Sequence, residues 1–357
     1  MGSKSAEFFN LFSDWSESQL LEYLREHGQR INPGTPLELL KSLCADIAEE
    51  TAKQSRQPVP RAMPPAGGAK KKAFVCGINY IGTRSQLNGC INDARCMHYL
   101  LRHRLGFMDE HILFMSDDHP DPARRPTRAN ILQGLTWLVT GLRPGDSLVF
   151  HYSGHGSQER DHTGQEADGM NETLVPLDHQ YAGQISDDLI NQIIVRPLPQ
   201  GVKLHAIIDS CHSGSMLDLP FIAPCNNGML HWIAQYPHPG IAASKGTSGG
   251  FAVQFSASAD HEYAADTRNL SGGVATGAAT FSFIQAIERR GLNITYGQLV
   301  TEMYQTLMYA GLGQNAGGYG QMNGIFGSLM SQSSRLRGQT PSISANYAFD
   351  FNAPFKV

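Results

Sequence analysis

Two periods of apolar spacing organise the chain. Near the start, "DWSESQLLEYLREHG" sets Leu20, Leu21 and Leu24 on one helical face behind Ser16 as a cap, and "TPLELLKSLCADIAEE" opens on Thr35 and Pro36, a helix-start pair. A helical N-terminal region is expected over residues 1–50. Across 51–72, "TAKQSRQPVPRAMPPAGGAKKK" loses periodicity and is rich in Pro, Gly, Ala and basic residues, which is linker composition.

From residue 73 the pattern changes to short apolar, β-branched runs alternating with amphipathic stretches. "AFVCGINY", "HILFMSDD", "DSLVFHYSGHG", "KLHAIIDSC" and "GFAVQFSAS" read as strands; "INDARCMHYLLRHRLG", "TRANILQGLTWLVTGL", "SDDLINQIIVRPL", "ATFSFIQAIERRG" and "TYGQLVTEMYQTLM" read as helices. This alternation predicts an α/β fold, a mostly parallel central sheet with helices on its faces. A Gly-, Pro- and Ser-containing stretch ending "ASKGTSGG" reads as an exposed connector over 226–249, dividing a larger part, 73–225, from a smaller one, 250–357.

Twenty-eight basic against thirty-two acidic residues give a formal charge of −4, which argues against a general nucleic-acid partner. No run approaches the roughly 18 apolar residues of a membrane span, and the N-terminus lacks the apolar core of a secretory signal, so a cytoplasmic location is expected. "MGSKSA" has Ala6 where a myristoylation pattern wants Ser or Thr. The six cysteines form no CxxC pair and suggest neither a zinc ribbon nor a disulfide framework.

Chemistry gathers after two strands. Ligands collect at the carboxyl ends of strands in α/β sheets, and here one strand runs into "HYSGHGSQ" and another into "DSCHSGS". A thiol needs a base to act as a nucleophile near neutral pH. His155, between Gly154 and Gly156, is the candidate base for Cys211, and the amides of Gly156 and Cys211 are candidate oxyanion donors. His151 falls within an apolar strand and reads as a packed histidine; His212, adjacent to Cys211, is a poor base and reads as a turn residue. The pair suggests cysteine-dependent acyl transfer.

Together "HYSGHG" and "DSCHSG", 56 residues apart from His155 to Cys211, resemble the metacaspases, caspase-like proteases of plants, fungi and protists. "INYIGTRSQLNGCINDA", "ETLVPLD", "ISDDLI", "LDLPF" and "ITYGQL" extend the resemblance over most of the chain after Lys72, and the short connector resembles the type I arrangement. The resemblance implies a caspase-hemoglobinase fold with large- and small-subunit-like parts, a monomer, and an endopeptidase for protein or peptide substrates with Arg or Lys before the scissile bond. It assigns His155 and Cys211 to catalysis and Cys90, Asp93, Ser153 and Asp209 to the pocket for the basic side chain. Two carboxylates suit a guanidinium on their own chemistry, although Asp93 in "NDARC" also reads as a helix cap.

The resemblance further implies calcium, with Asp187, Asp188 and Asp218 as oxygen ligands; alone, Asp187 before "LINQII" reads as an N-cap. Asn171 in "EADGMNETL" stands where the family has an acid, so it brings no charge, Asp168 or Glu172 are possible substitutes, and a weak requirement is expected. Basic residues Arg61, Lys72, Lys245 and Arg268 are candidate self-cleavage sites. The rival readings are a non-catalytic scaffold or aggregate-binding chaperone, and another thiol hydrolase such as an asparaginyl-type peptidase or transamidase, which the acidic pocket disfavours.

Overall fold

The computed structural model describes residues 16–26, 36–38, 40, 41, 43, 44, 70–161, 169–211, 214–236, 239–259, 277–312 and 339–357. Contacts group the chain into two units, Met1–Gly67 with Gln314–Ser333, and Gly68–Gly313 with Ser334–Val357. In the first, helix α1 (Glu17–Glu26) buries Leu20 and Leu24, and the Cys44 thiol lies 3.7 Å from the Leu20 carbonyl.

The second unit is built on one sheet. Strands β1 (Lys71–Gly77), β2 (Ile112–Ser116), β3 (Ser147–Ser153), β7 (Lys203–Asp209) and β11 (Phe251–Ala259) run parallel in the order β2-β1-β3-β7-β11. Every residue of β3 is buried, which is why these segments read as continuous apolar runs: a parallel sheet is covered on both faces. Helices α2 (Cys90–His103), α6 (Ala278–Arg290) and α7 (Tyr296–Leu312) form one packed group, and α3 (Arg128–Leu138) packs on β1 and on the turn that follows α4 (Asp187–Ile190). The order reverses at β1, whose neighbours β2 and β3 lie on opposite sides, and the carboxyl ends beside such a reversal form a crevice.

Periodicity located the parallel strands and missed the antiparallel ones. β12 (Gln339–Ala345), β8 (Phe221–Asn226) and β10 (Ile233–Ala234) continue the sheet beyond β11, and β9 (Met229–Leu230) pairs with β8. A second sheet, β4 (Gly156–Arg160), β5 (Met170–Leu174) and β6 (Ile185–Ser186), follows the histidine loop. The helix expected over "SDDLINQIIVRPL" is a short α-helix, α4, that widens into a π turn at Asn191–Val195. The segment expected as an exposed connector carries β9, β10, the helix α5 (Pro239–Ser244) and a fully buried Lys245. Among the described residues, no helix is long and apolar enough to cross a membrane.

Gly77 ends β1 where α2 begins to cross it. An alanine Cβ there would stand 2.7 Å from Ala94 Cβ and closer still to the Cys90 carbonyl oxygen. Gly77→Ala should therefore lower unfolding stability by about 1–3 kcal/mol, the usual cost of overpacking. Urea denaturation measures this, and an unchanged midpoint would mean that α2 is not held so close.

Candidate active site

Parallel strands in register bring the residues that follow them to one level. β3 pairs with β7 so that Ser153 lies opposite Asp209, and Gly154 N donates to Asp209 O at 3.2 Å just past that rung. His155 and Cys211 each stand two residues beyond it, so their loops leave the sheet side by side. The loops touch at Gly156, where a Cβ would collide with the Cys211 carbonyl oxygen and lie 3.0 Å from Ser210 Oγ. Glycine is required there by the closeness of the two loops.

Two tyrosines hold the histidine's backbone. The His155 amide donates to Tyr80 Oη at 3.0 Å, and the His155 carbonyl accepts from Tyr152 Oη at 2.9 Å. Tyr80 has φ 53°, a left-handed conformation rare for an aromatic residue, and its hydroxyl also donates to Val175 O at 2.6 Å. The Tyr80 and His155 rings lie 4.7 Å apart, centroid to centroid. The ring's Nε2 is 2.8 Å from Ser85 O. A carbonyl only accepts, so Nε2 carries the proton and Nδ1 is the basic nitrogen of the neutral ring. Burial pushes the His155 pKa down, with the Ser85 bond opposing.

Cys211 is exposed, whereas Cys44, Cys76, Cys90, Cys96 and Cys225 are buried. The surrounding protein, and then the charge of Asp209, push the Cys211 thiol up from its ordinary value. At neutral pH the resting pair is thus a thiol and a neutral imidazole, so the proton must move as the sulfur attacks.

The pocket residues expected from sequence converge beside this pair. Ser153 Oγ donates to Asp93 Oδ2 at 2.9 Å, and Cys90 and Asp93 lie in the first turn of α2. Asp209 Oδ1 accepts from Gly277 N at 3.0 Å and Oδ2 from Thr280 N at 2.7 Å, so the N-terminus of α6 faces this carboxylate. Burial raises the pKa of both acids. For Asp93 the charge of Asp209 adds to it, and for Asp209 the amide bonds oppose it. Behind them His151, fully buried as expected, reaches Thr280 Oγ1 at 2.9 Å and is pushed down to about 3 by burial. His212 lies outside the described residues. Sequence reading missed Tyr80, Tyr152, Ser85, Gly277 and Thr280; Ser85 acts through its backbone, which leaves no side-chain signal.

Of the calcium candidates, Asp187 and Asp188 open α4 directly after β6, and Asn171 lies in β5. Asp187 is pushed up to about 9, first by burial, and its oxygens accept from the amides of Glu172 at 2.9 Å and Asp188 at 2.7 Å. Asp188 and Asp218 hold the Lys245 ammonium between them. Among the described residues, no three His, Cys, Asp or Glu side chains are arranged to hold a metal ion. The donors are nonetheless the hard oxygens calcium takes, and Asn171 Oδ1 is buried without a hydrogen-bond partner, so the residue set fits the ion in chemistry. Asp168 is outside the described residues.

Two self-cleavage expectations need correction. Lys72 lies within β1 and is paired with Leu148 of β3, its ammonium 4.4 Å from the centroid of the Trp137 ring, and Lys245 is wholly buried. A chain bound into a sheet or anchored by a buried charge is not presented to a protease. Arg61 and Arg268 lie outside the described residues.

A family model for the metacaspase, peptidase C14 domain matches residues 71–220. Metacaspase-1 of Arabidopsis thaliana is 46% identical over 297 residues, covering 81% of this chain and 79% of that protein. Metacaspase-2 of the same plant is 48% identical over 245 residues (68% and 58%), and its Metacaspase-3 is 47% identical over 247 residues (69% and 67%). Among solved structures, a Geobacter sulfurreducens protein overlaps with a TM-score of 0.47 at 18% identity, covering 81% of this chain and 99% of that one.

A raised thiol makes a specific kinetic demand. Alkylation of Cys211 by iodoacetamide should be slower at pH 7 than that of a free cysteine and should rise about tenfold per pH unit toward its pKa; a fast rate that is flat down to pH 6 would mean a standing thiolate. Gly156→Ala should lower unfolding stability by about 1–3 kcal/mol, the cost of overpacking against backbone, and should cut kcat of the chain that remains folded by about 100-fold, because a displacement near 1 Å is enough to misplace the thiol.

Proposed function

Because the chain belongs to the metacaspase family and is thereby a cysteine peptidase, we propose that it cleaves polypeptides after Arg or Lys and that calcium activates it. One observation supports the specificity above the rest. Asp93 and Asp209 are both buried, interact through their charges, and make no ion pair among the described residues. Buried like charges are costly until a cation joins them, and a guanidinium or ammonium from substrate would supply it.

Chemistry follows from the geometry of the loops. Cys211 Sγ attacks the carbonyl carbon of the basic residue itself, and its proton passes to His155 Nδ1. The oxyanion is received by the amides of Gly156 and Cys211. As the C–N bond breaks, His155 returns the proton to the leaving amine, and water then hydrolyses the thioester. The Ser85 carbonyl fixes the tautomer that makes Nδ1 the base throughout.

Asp187, Asp188, Asp218 and Asn171 would hold calcium, which would supply the positive charge that favours ionised Asp187, whose carboxyl burial pushes up to about 9. With an amide in place of a fourth acid, a requirement in the weak range of calcium sites is expected. Self-processing is assigned to the segments carrying Arg61 and Arg268, and the Cys211→Ala chain should purify intact. A purely scaffolding role has no structural observation in its favour and leaves the His155 and Cys211 loops without a purpose.

Fluorogenic peptides ending in Arg, Lys, Asp and Asn, assayed with calcium and with excess chelator, test the proposal. Cleavage of the Arg and Lys peptides only, and only with calcium, is expected; full activity in chelator would remove calcium from the scheme. Asp93→Asn should cost about 10- to 100-fold in kcat/KM for basic peptides, the worth of a charged hydrogen bond, with most of the loss in KM.

A further inference from the structure

Lys245 is the one described lysine or arginine whose side chain is completely buried. Its Nζ lies 2.6 Å from Asp188 Oδ1 and forms a second ion pair with Asp218 Oδ2. The Tyr236 ring stands 5.7 Å from the ammonium, and Tyr236 Oη donates to the other oxygen of Asp218. Burying an ammonium costs several kcal/mol unless its partners are well placed, so this is a built cation site with an occupant.

The backbone is tied to the same place. Asn191, first residue of the π turn, donates from Nδ2 to Lys245 O at 2.9 Å, Leu217 O at 2.9 Å and Asp218 O at 3.2 Å. Asp218 itself has φ 53°. Lys245 directly follows α5, and its amide closes the last turn on Ile241 O at 3.2 Å. One side chain therefore docks the end of α5 onto the two acids.

Those two acids are half of the residue set assigned above to calcium. One oxygen cannot serve an ammonium and a divalent ion together. We propose that Lys245 is an internal competitor for the calcium site: its ammonium holds the oxygens of Asp188 and Asp218, calcium enters as Lys245 leaves, and this exchange sets the site's affinity. The inference rests on the calcium reading and adds a residue that the ligand set does not contain. It also couples ion entry to release of the segment around Lys245.

Two measurements on the full chain carrying Cys211→Ala, which cannot cut itself, decide the matter. Calorimetric titration with calcium should show roughly tenfold or tighter affinity when Lys245→Met is added, because a closed competitor state taxes apparent affinity by its population; Lys245→Arg, which keeps the cation, should not tighten it. Without any change at Lys245, acylation of lysine amines by an N-hydroxysuccinimide ester, read by peptide mass mapping, should find Lys245 protected in chelator and labelled at least roughly fivefold faster in saturating calcium, with exposed lysines unchanged. The labelling arm decides the question even if Lys245→Met fails to fold. If the chain binds calcium but Lys245→Met gains nothing, or Lys245 stays protected, displacement is wrong and the calcium reading stands. If neither chain takes up calcium, both fall.

Discussion

The pairing of β3 with β7 is the constraint on which the site depends. Ser153 opposite Asp209 sets two loops at one level, and everything beyond that rung inherits the alignment. A slip of one residue would turn Ser153 and Asp209 to opposite faces of the sheet. It would also separate the histidine loop from the cysteine loop. The buried faces of both strands make such a slip expensive, so the fold's hydrophobic core is what holds the chemistry in register.

Buried acid is a recurring problem in this molecule, and it is answered in two ways. Asp93 and Asp209 are held by a serine hydroxyl and by the amides that open α6, an arrangement that orients the carboxylates and leaves their charge to be met from outside. Asp188 and Asp218 are met from within, by Lys245. The first answer suits recognition of a basic side chain. The second suits a site whose occupant can be exchanged. Both draw on the same physics, in which a desolvated carboxylate has a large and specific appetite for a cation.

Much of this was legible in the chain and some was not. The five parallel strands announce themselves because burial on both faces leaves apolar runs, and His155 and Cys211 stand out because glycines and polar residues follow such runs. The antiparallel strands hide: "FIAPCN" carries a proline and "QTPSISA" is short and mostly small or polar, so neither shows a period. Ser85 orients the histidine through a carbonyl that any residue would offer. Lys245 falls in a stretch that reads as an exposed connector because its partners lie 57 and 27 positions away, and long-range ion pairing leaves no local pattern.

The order of the sheet also decides what a cut chain would be. β11 pairs with β7 on one side and with β12 on the other, and β12 in turn pairs with β8. The peptide link from β11 to α6 runs through the region of Arg268, so scission there would put β7, β8 and β11 on one fragment and α6, α7 and β12 on the other. β12 would then lie clasped between two strands of its former partner chain, and Asp209 would take its amide bonds from across the break. A nicked molecule would remain a single particle made of two polypeptides, with Asp209 on one and the amides that orient it on the other.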